Sequence, residues 1–486
     1  MRLDKILSDE IIEQLPTELS SREISVVVCD SRLAEKTCLF FAVEGSVKNG
    51  AQFIADAVSR GAKTVVGQGV AGYKVENGVL YINVNDPAKR LRQAVDNFYG
   101  HPSGSVKCLG ITGTNGKTTI TYLLRSIFGE AGKACGVLGT IQHVIGDEVI
   151  EAKNTTPGLV DIQKYLALMR DHKMQYCAME VSSHGLAQNR VDLIDFSQAI
   201  FTNLTQDHLD YHKTEEEYFL AKAKLFTSLK SDAYAVINMD DPRGKRLAKM
   251  TSAKVIGYAV DNRSEVRAVD VKMSAAGSEF KLVHVKGEFI VKTCLIGKHN
   301  IYNILAAASA ALNENIDPKF IQSGILKCSL VKGRLEKVDY GQDYSIFIDY
   351  AHTDDALKNV LESLKKLPHQ KIILIFGCGG DRDKTKRPKM AKVAGELADY
   401  SIVTSDNPRS EDPKQIIEEV IKGFNKNNYE VEVDRTEAIR KGLALAKKGD
   451  IVLLAGKGHE TYQIFKDKTI DYDERVVIKE ILHVIN

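Results

Sequence analysis

No two of the eight cysteines are spaced as CxxC; Cys29, Cys38, Cys108, Cys135, Cys177, Cys294, Cys328 and Cys378 stand singly. That spacing offers neither a zinc site nor a disulfide framework. Small buried hydrophobes in a reducing cytosol are expected instead. Charge of one sign is lacking too. Lys+Arg number 66 against 64 Asp+Glu, a formal net charge of +2, which leaves no general electrostatic footprint for nucleic acid. No run reaches the apolar length of a membrane-spanning helix, and the stretch from Met1 to Ile12 has no apolar signal core. A cytoplasmic protein that engages neither nucleic acid nor membrane is the expectation. Tryptophan and low-complexity blocks are also absent. What remains is 44% hydrophobic and 27% charged over 486 residues, too long for one ordinary core and suited to about three domains.

Three segments are legible, and boundaries at 1–100, 101–331 and 332–486 are expected. The first mixes short strands (25–29, 39–43, 64–66, 80–84) with helical stretches and closes in the turn from Tyr99 to Gly104. The second opens with a strand over 106–112 and alternates strands (176–181, 198–202, 233–237) with helices such as 119–131. The third has apolar runs at 346–349, 372–376, 401–404 and 451–455. Continuous apolar runs alternating with helices predict buried parallel strands, an α/β class throughout. Ligands in such sheets gather at the carboxyl ends of strands.

The sharpest cluster at a strand end is Gly113-Thr114-Asn115-Gly116-Lys117-Thr118-Thr119. Glycines let backbone N–H groups converge on phosphate oxygens, and the following helix adds a favourable dipole. Lys117 is placed for outer phosphates and the Thr118 hydroxyl for Mg²⁺. The usual first glycine of such a loop would fall at Ile111, but strand, loop and helix are all present, and ATP binding is expected.

Two further strand ends deliver Glu180 and His208, a carboxylate and an imidazole able to organise metal and water. His184, His212 and His101 are weaker candidates. Beyond them, Thr214 with Glu217 predicts a capped helix over 214–229. Its apolar face carries Tyr218, Ala221, Leu225, Phe226 and Leu229, and Lys222 falls inside that face, with Lys224 opposite. A lysine so placed is paired, snorkelling, or neutral with a lowered pKa. A neutral amine can also take up CO₂ as a carbamate.

Together these residues resemble the Mur ligase family, the amide ligases that assemble the bacterial cell-wall peptide, and the likeness runs over nearly the whole chain. The resemblance implies three α/β domains: an N-terminal uridine-binding domain, a central mostly parallel sheet of P-loop type, and a C-terminal Rossmann-like domain. It assigns Gly113 to Thr119, Asn300, Asn303, Arg334 and Asp349 to ATP, and Lys117, Glu180, His208 and Lys222 to catalysis. Metal would be held by Thr118, Glu180, His208 and Lys222 as its carbamate. Ser31, Asn154, Thr155, Thr156, Ser182, Gln188 and Arg190 match positions that contact the uridine-linked peptide. Arg382, Asp406, Asn407, Arg409, Gly456 and Glu460 match those that frame the incoming amino acid. The cluster from Asp406 to Arg409 resembles the branch using meso-diaminopimelate. Arginine forks suit that substrate's second carboxylate and Glu460 its ammonium. Asp354 stands where the family usually has proline, and a local loop adjustment is expected there.

The activity so implied is ATP-dependent addition of meso-diaminopimelate to UDP-N-acetylmuramoyl-L-alanyl-D-glutamate. It would run through an acyl phosphate with release of ADP and phosphate, require Mg²⁺, and be carried out by a monomer whose third domain closes at Gly333-Arg334. Alternatives are the L-lysine-adding homologue, folylpolyglutamate synthetase, and a nucleotide-binding sensor that makes no bond.

Overall fold

The computed structural model describes residues 1–7, 10–45, 48–274 and 277–485. Its strands form three principal sheets, each built from one stretch of sequence. The first sheet orders Val26–Val28, Cys38–Phe41, Thr64–Gln68, Val79–Val84 and Gly72–Glu76, parallel except for the last.

The central sheet has eleven strands. Lys107–Thr112 lies in its middle, parallel to Tyr176–Glu180 on one side and to Phe196–Phe201 on the other. Parallel pairing continues outward through Cys135–Leu138, and through Tyr234–Asn238, Lys254–Ala259 and Val266–Ser274. Antiparallel hairpins finish both edges. Both faces of this sheet are covered, which explains the near-continuous apolar runs. Leu109, Ile111, Ala178, Ile200 and Val236 pack into one core against helices Lys117–Glu130 and Lys298–Asn313. The alternate residues Cys108, Cys177, Met179, Ala199 and Phe201 pack into the other, against Leu159–Asp171 and Glu215–Thr227.

The third sheet orders Glu336–Val338, Ser345–Asp349, Ile451–Ala455, Ile372–Phe376, Tyr400–Val403 and Tyr429–Val431. All are parallel but the first. The expected α/β class and mostly parallel central sheet are therefore observed. Elements shift by one or two residues from their sequence-based bounds. The phosphate-loop helix starts at Lys117 rather than 119, because Gly116 in the left-handed conformation (φ 90°) is its cap. All eight cysteines are free. Six are buried, but Cys29 and Cys294 are exposed, against the expectation of uniform burial. Among the described residues, no helix is long and apolar enough to cross a membrane.

Candidate active site

The middle strand Lys107–Thr112 feeds the loop Gly113–Gly116, and its two neighbours end at Glu180 and just before Thr202. The chemistry-bearing strand ends are thus adjacent by topology. The loop is tightly seated: a Cβ at Gly113 would lie 1.8 Å from Thr202 Oγ1. Lys117 curls back over the loop, its Nζ donating to Gly113 O at 2.9 Å and Thr114 O at 2.8 Å. Burial pushes its pKa down.

Thr118 Oγ1 donates to Glu180 Oε2 at 3.0 Å and accepts from Arg334 Nη2 at 3.2 Å. Glu180, 1% exposed, is further fixed by Thr140, whose N–H and hydroxyl each donate to it at 2.9 Å. On the other flank, His208 sits in the left-handed region (φ 54°), its ring edge-on to His184 with centroids 4.9 Å apart. Burial pushes the His208 pKa down, against the pull of Asp207. Asp207 lies between His208 and His352, with Nε2 contacts of 3.5 and 4.0 Å. Burial works to raise this carboxyl, but His208, His352 and Lys386 outweigh it and hold it below the usual range. The His212 ring lies edge-on to His184 and tilted against Tyr218. His101 is elsewhere, exposed and paired with Asp96.

Lys222 is 2% exposed on the helix Glu215–Thr227, while Lys224 faces solvent. Thr214 caps that helix by accepting from Glu217 N at 3.1 Å. Its own N–H goes to His212 O, so the reciprocal half of the expected capping box is replaced. Lys222 Nζ donates to Gly113 O at 2.9 Å and lies 4.4 Å from the Tyr218 ring centroid. Burial, with Lys117 adding repulsion, drives its pKa well down. Of the readings open from sequence, the geometry selects a desolvated amine beside the phosphate loop and not a snorkelling stem. Among the described residues, no three of His, Cys, Asp and Glu form a metal-holding group.

A cavity of about 440 Å³, within the size range of small-molecule pockets, opens between the central and third sheets. Asn115, Gly116, Thr119, Asn300, Asn303, Arg334 and Asp349 all line it; Gly113, Thr114, Lys117 and Thr118 do not. Asn303 abuts the loop, since a Cβ on Gly116 would meet its Oδ1 at 2.3 Å. Burial pushes Asp349 up to about 6 even though Leu335 and Ala351 N–H groups donate to it.

Of Asn154, Thr155 and Thr156, it is Thr156 that meets the segment after Glu180. Thr156 Oγ1 donates to Glu180 O at 2.8 Å and accepts from Ser182 N at 2.9 Å, and Arg190 reaches Thr156 O at 2.6 Å. Gln188 accepts from Arg190. Thr155 touches Thr140 at 3.1 Å; Asn154 is exposed. Ser31, buried, belongs to the short turn of helix Ser31–Leu33 in the first sheet's layer.

In the third domain Asn407 Nδ2 donates to Glu460 Oε2 at 2.8 Å, and Lys457 Nζ bridges Asn407 Oδ1 and Glu460 Oε2 at 3.2 Å each. Gly456 packs on Asp406, and a Cβ there would come 2.5 Å from Asp406 Oδ2. Arg409 (φ 52°) donates to Gly380 O at 2.8 Å, next to the loop of Arg382, which is exposed and bonds Asp381 O. Asp354 heads the helix Asp354–Leu364, directly after its cap Thr353. Proline is favoured at this first helical position, and an acidic residue there suits the helix dipole. The loop adjustment expected for Asp354 is therefore unnecessary.

Family models match along the chain: Mur ligase family, catalytic domain over 23–99, Mur ligase middle domain over 111–311, and Mur ligase, glutamate ligase domain over 333–458. The UDP-N-acetylmuramoyl-L-alanyl-D-glutamate--2,6-diaminopimelate ligase of Syntrophomonas wolfei subsp. wolfei is 42% identical over 484 residues, 97% of this chain and 98% of its own. The protein of that name from Clostridium tetani is 42% identical over 480 residues, with 97% and 98% covered. The chain belongs to the Mur ligase family. A solved structure carrying the same ligase name superposes on it with a TM-score of 0.69 at 31% identity, covering 100% of this chain and 99% of that one.

Several residues of this Mur ligase's site escaped sequence reasoning. Asp240 and Tyr302 line the cavity and bond each other at 2.8 Å. Thr140 lies just past the strand Cys135–Leu138. Both Asp240 and Thr140 follow strand ends, the same sequence signal that marks Glu180. Lys457, two residues past the strand Ile451–Ala455, carries the same signal, whereas the buried pair Arg435–Glu474 (2.8 Å) has none. Arg435 also holds Ser405 O and Ala455 O, the main chain just before Asp406 and Gly456.

Proposed function

We propose that this Mur ligase uses ATP to join meso-diaminopimelate to UDP-N-acetylmuramoyl-L-alanyl-D-glutamate, in the cytosol, as a step of peptidoglycan precursor synthesis. The observation that carries this reading is the phosphate loop flanked by Glu180 and Asp207–His208 and faced, across one cavity, by Arg334 of the third domain. That arrangement supports a nucleotide bound between two domains. The acceptor belongs at Asn407, Arg409 and Glu460, where Arg382 and Arg409 offer guanidinium to carboxylate and Glu460 offers carboxylate to ammonium.

Two anions must meet when the D-glutamate carboxylate attacks the γ-phosphate. Lys117 and Arg334 supply positive charge against that repulsion from either side. The donor set of Thr118 hydroxyl and Glu180 carboxylate fits Mg²⁺, which prefers hard oxygen. Bound there, with His208 and a carbamate on Lys222, it would supply further charge neutralisation. Lys222 as a neutral amine would form that carbamate by adding to CO₂ with loss of one proton. The acyl phosphate made by the carboxylate's attack has phosphate as its leaving group, and the acceptor amine displaces it to form the amide. Both steps are vulnerable to water, which a closed cavity between the domains keeps out.

With Mg-ATP and the uridine-linked dipeptide, ADP and phosphate are expected to appear only when acceptor is added, and faster with meso-diaminopimelate than with L-lysine. Products separated by anion-exchange chromatography decide it. AMP and pyrophosphate would mean adenylylation and overturn the mechanism, and a preference for lysine would overturn the acceptor.

A further inference from the structure

Arg334 is the side chain of the third domain that bonds Thr118, and its main chain is clamped on both sides. Gly333 N donates to Glu336 Oε2 at 2.6 Å, Gly333 O accepts from Tyr350 N at 2.9 Å, and Leu335 N donates to Asp349. The guanidinium lies over the Tyr350 ring, 4.9 Å from its centroid. Glu336, 9% exposed at its side chain, is gripped in turn by Arg475. Arg475 Nε donates to Oε1 at 2.9 Å and Nη2 to Oε2.

The same Nη2 also donates to Gly458 O at 3.1 Å, and Nη1 to Asp473 at 3.0 Å. Gly458 lies in the loop that carries Gly456 and Glu460. Hinge and loop touch backbone to backbone. A Cβ on Gly333 (φ 68°) would stand 2.2 Å from His459 N, and one on Gly458 would stand 2.6 Å from Tyr350 Cβ. Four of the five N–H donors of Arg475 are thus taken by two carboxylates and a carbonyl, so its main capacity is to hold the two loops in register.

We propose that Arg475 and Glu336 are positioning residues that lock the acceptor loop Gly456–Glu460 to the hinge, so that Arg334 reaches the phosphate site only in register with the acceptor. This rests on the ligase reading above. A register error of about 1 Å at a reacting centre is enough to lower turnover by roughly 100-fold, so the lock acts on kcat. Because Glu336 is buried, a broken lock leaves its carboxylate with no cation and only the Gly333 N–H, and the hinge free to turn.

A double-mutant cycle on the full-length enzyme tests it, with Arg475→Met and Arg334→Ala singly and together, and Glu336→Gln as the milder variant. Arg475→Met is expected to lower kcat by about tenfold and to raise the KM for diaminopimelate, the KM for the uridine-linked dipeptide staying unchanged; in the Arg334→Ala background it should add less than about twofold, the mark of residues acting as one unit. Glu336→Gln should give the same pattern at smaller size with an unchanged thermal midpoint. Losses that multiply, a wild-type kcat in Arg475→Met, or an equal rise in every KM would overturn the lock. Wild-type enzyme that fails to ligate diaminopimelate would take the ligase reading down with it, whereas active wild type with multiplying losses overturns the lock alone.

Discussion

Lys222→Ala is expected to lower ligation by about 10²–10³-fold, the range seen when one preorganised charge-stabilising group is removed, while the protein still folds and still binds ATP. The amine is buried at the centre of the site, donating to Gly113 O at 2.9 Å, and its pKa is driven well down by burial and by Lys117. Burial disfavours the ammonium and so enlarges the neutral fraction that CO₂ requires. Lys222→Met keeps most of the stem's packing and separates loss of the nitrogen from loss of volume. Lys224→Ala, on the exposed side of the same helix, should leave turnover near wild type. Labelled bicarbonate should give a carbamate carbon signal in wild type that Lys222→Met lacks. Full activity without that signal, or Lys222→Ala turning over at the wild-type rate, would remove Lys222 from the metal site.

Arg409→Ala should act on the acceptor alone. Taking one partner from a desolvated charge pair costs about 2–5 kcal/mol, which at about 1.4 kcal/mol per tenfold is roughly 30- to 4,000-fold in kcat/KM for diaminopimelate. Arg409 is half-buried, held by Gly380 O at 2.8 Å, beside Asn407, which in turn bonds Glu460. It is not among the residues lining the cavity proposed for the nucleotide, so the KM for ATP should hardly move. Arg409→Lys restores charge but not a two-pronged donor, and should recover only part of the loss. Steady-state kinetics with each substrate varied in turn reads all three values. An unchanged kcat/KM for diaminopimelate would show that the acceptor's carboxylate binds elsewhere.

The site was legible wherever its chemistry follows a strand. Gly113 to Thr118, Glu180 and His208 follow three neighbouring strands, and a parallel sheet brings consecutive strand ends to one edge whatever the loops do. Lys222 was legible for a different reason. A helix with 3.6 residues per turn makes its buried face readable from spacing, and a charge inside that face stands out. Bond partners were not readable in this way. The half of the capping box that fails at Thr214 fails because His212 O is closer to its N–H, a fact of chain path and not of residue type.

By itself the sequence determined the α/β class, the glycine loop Gly113–Gly116 between strand and helix, and the residues at strand ends, because these depend on local periodicity and on rules that hold for every parallel sheet. Only the tertiary structure decided which groups meet. It put the Lys222 nitrogen on Gly113 O, 109 residues away along the chain, and Arg334 on Thr118 at a separation of 216. It lined one cavity with residues from two sheets, and it joined Arg475 to Glu336 and Gly458. No local signal marks such contacts. They are set by how whole layers pack, where the burial of apolar faces fixes the spacing and the polar groups left inside must find partners with good geometry.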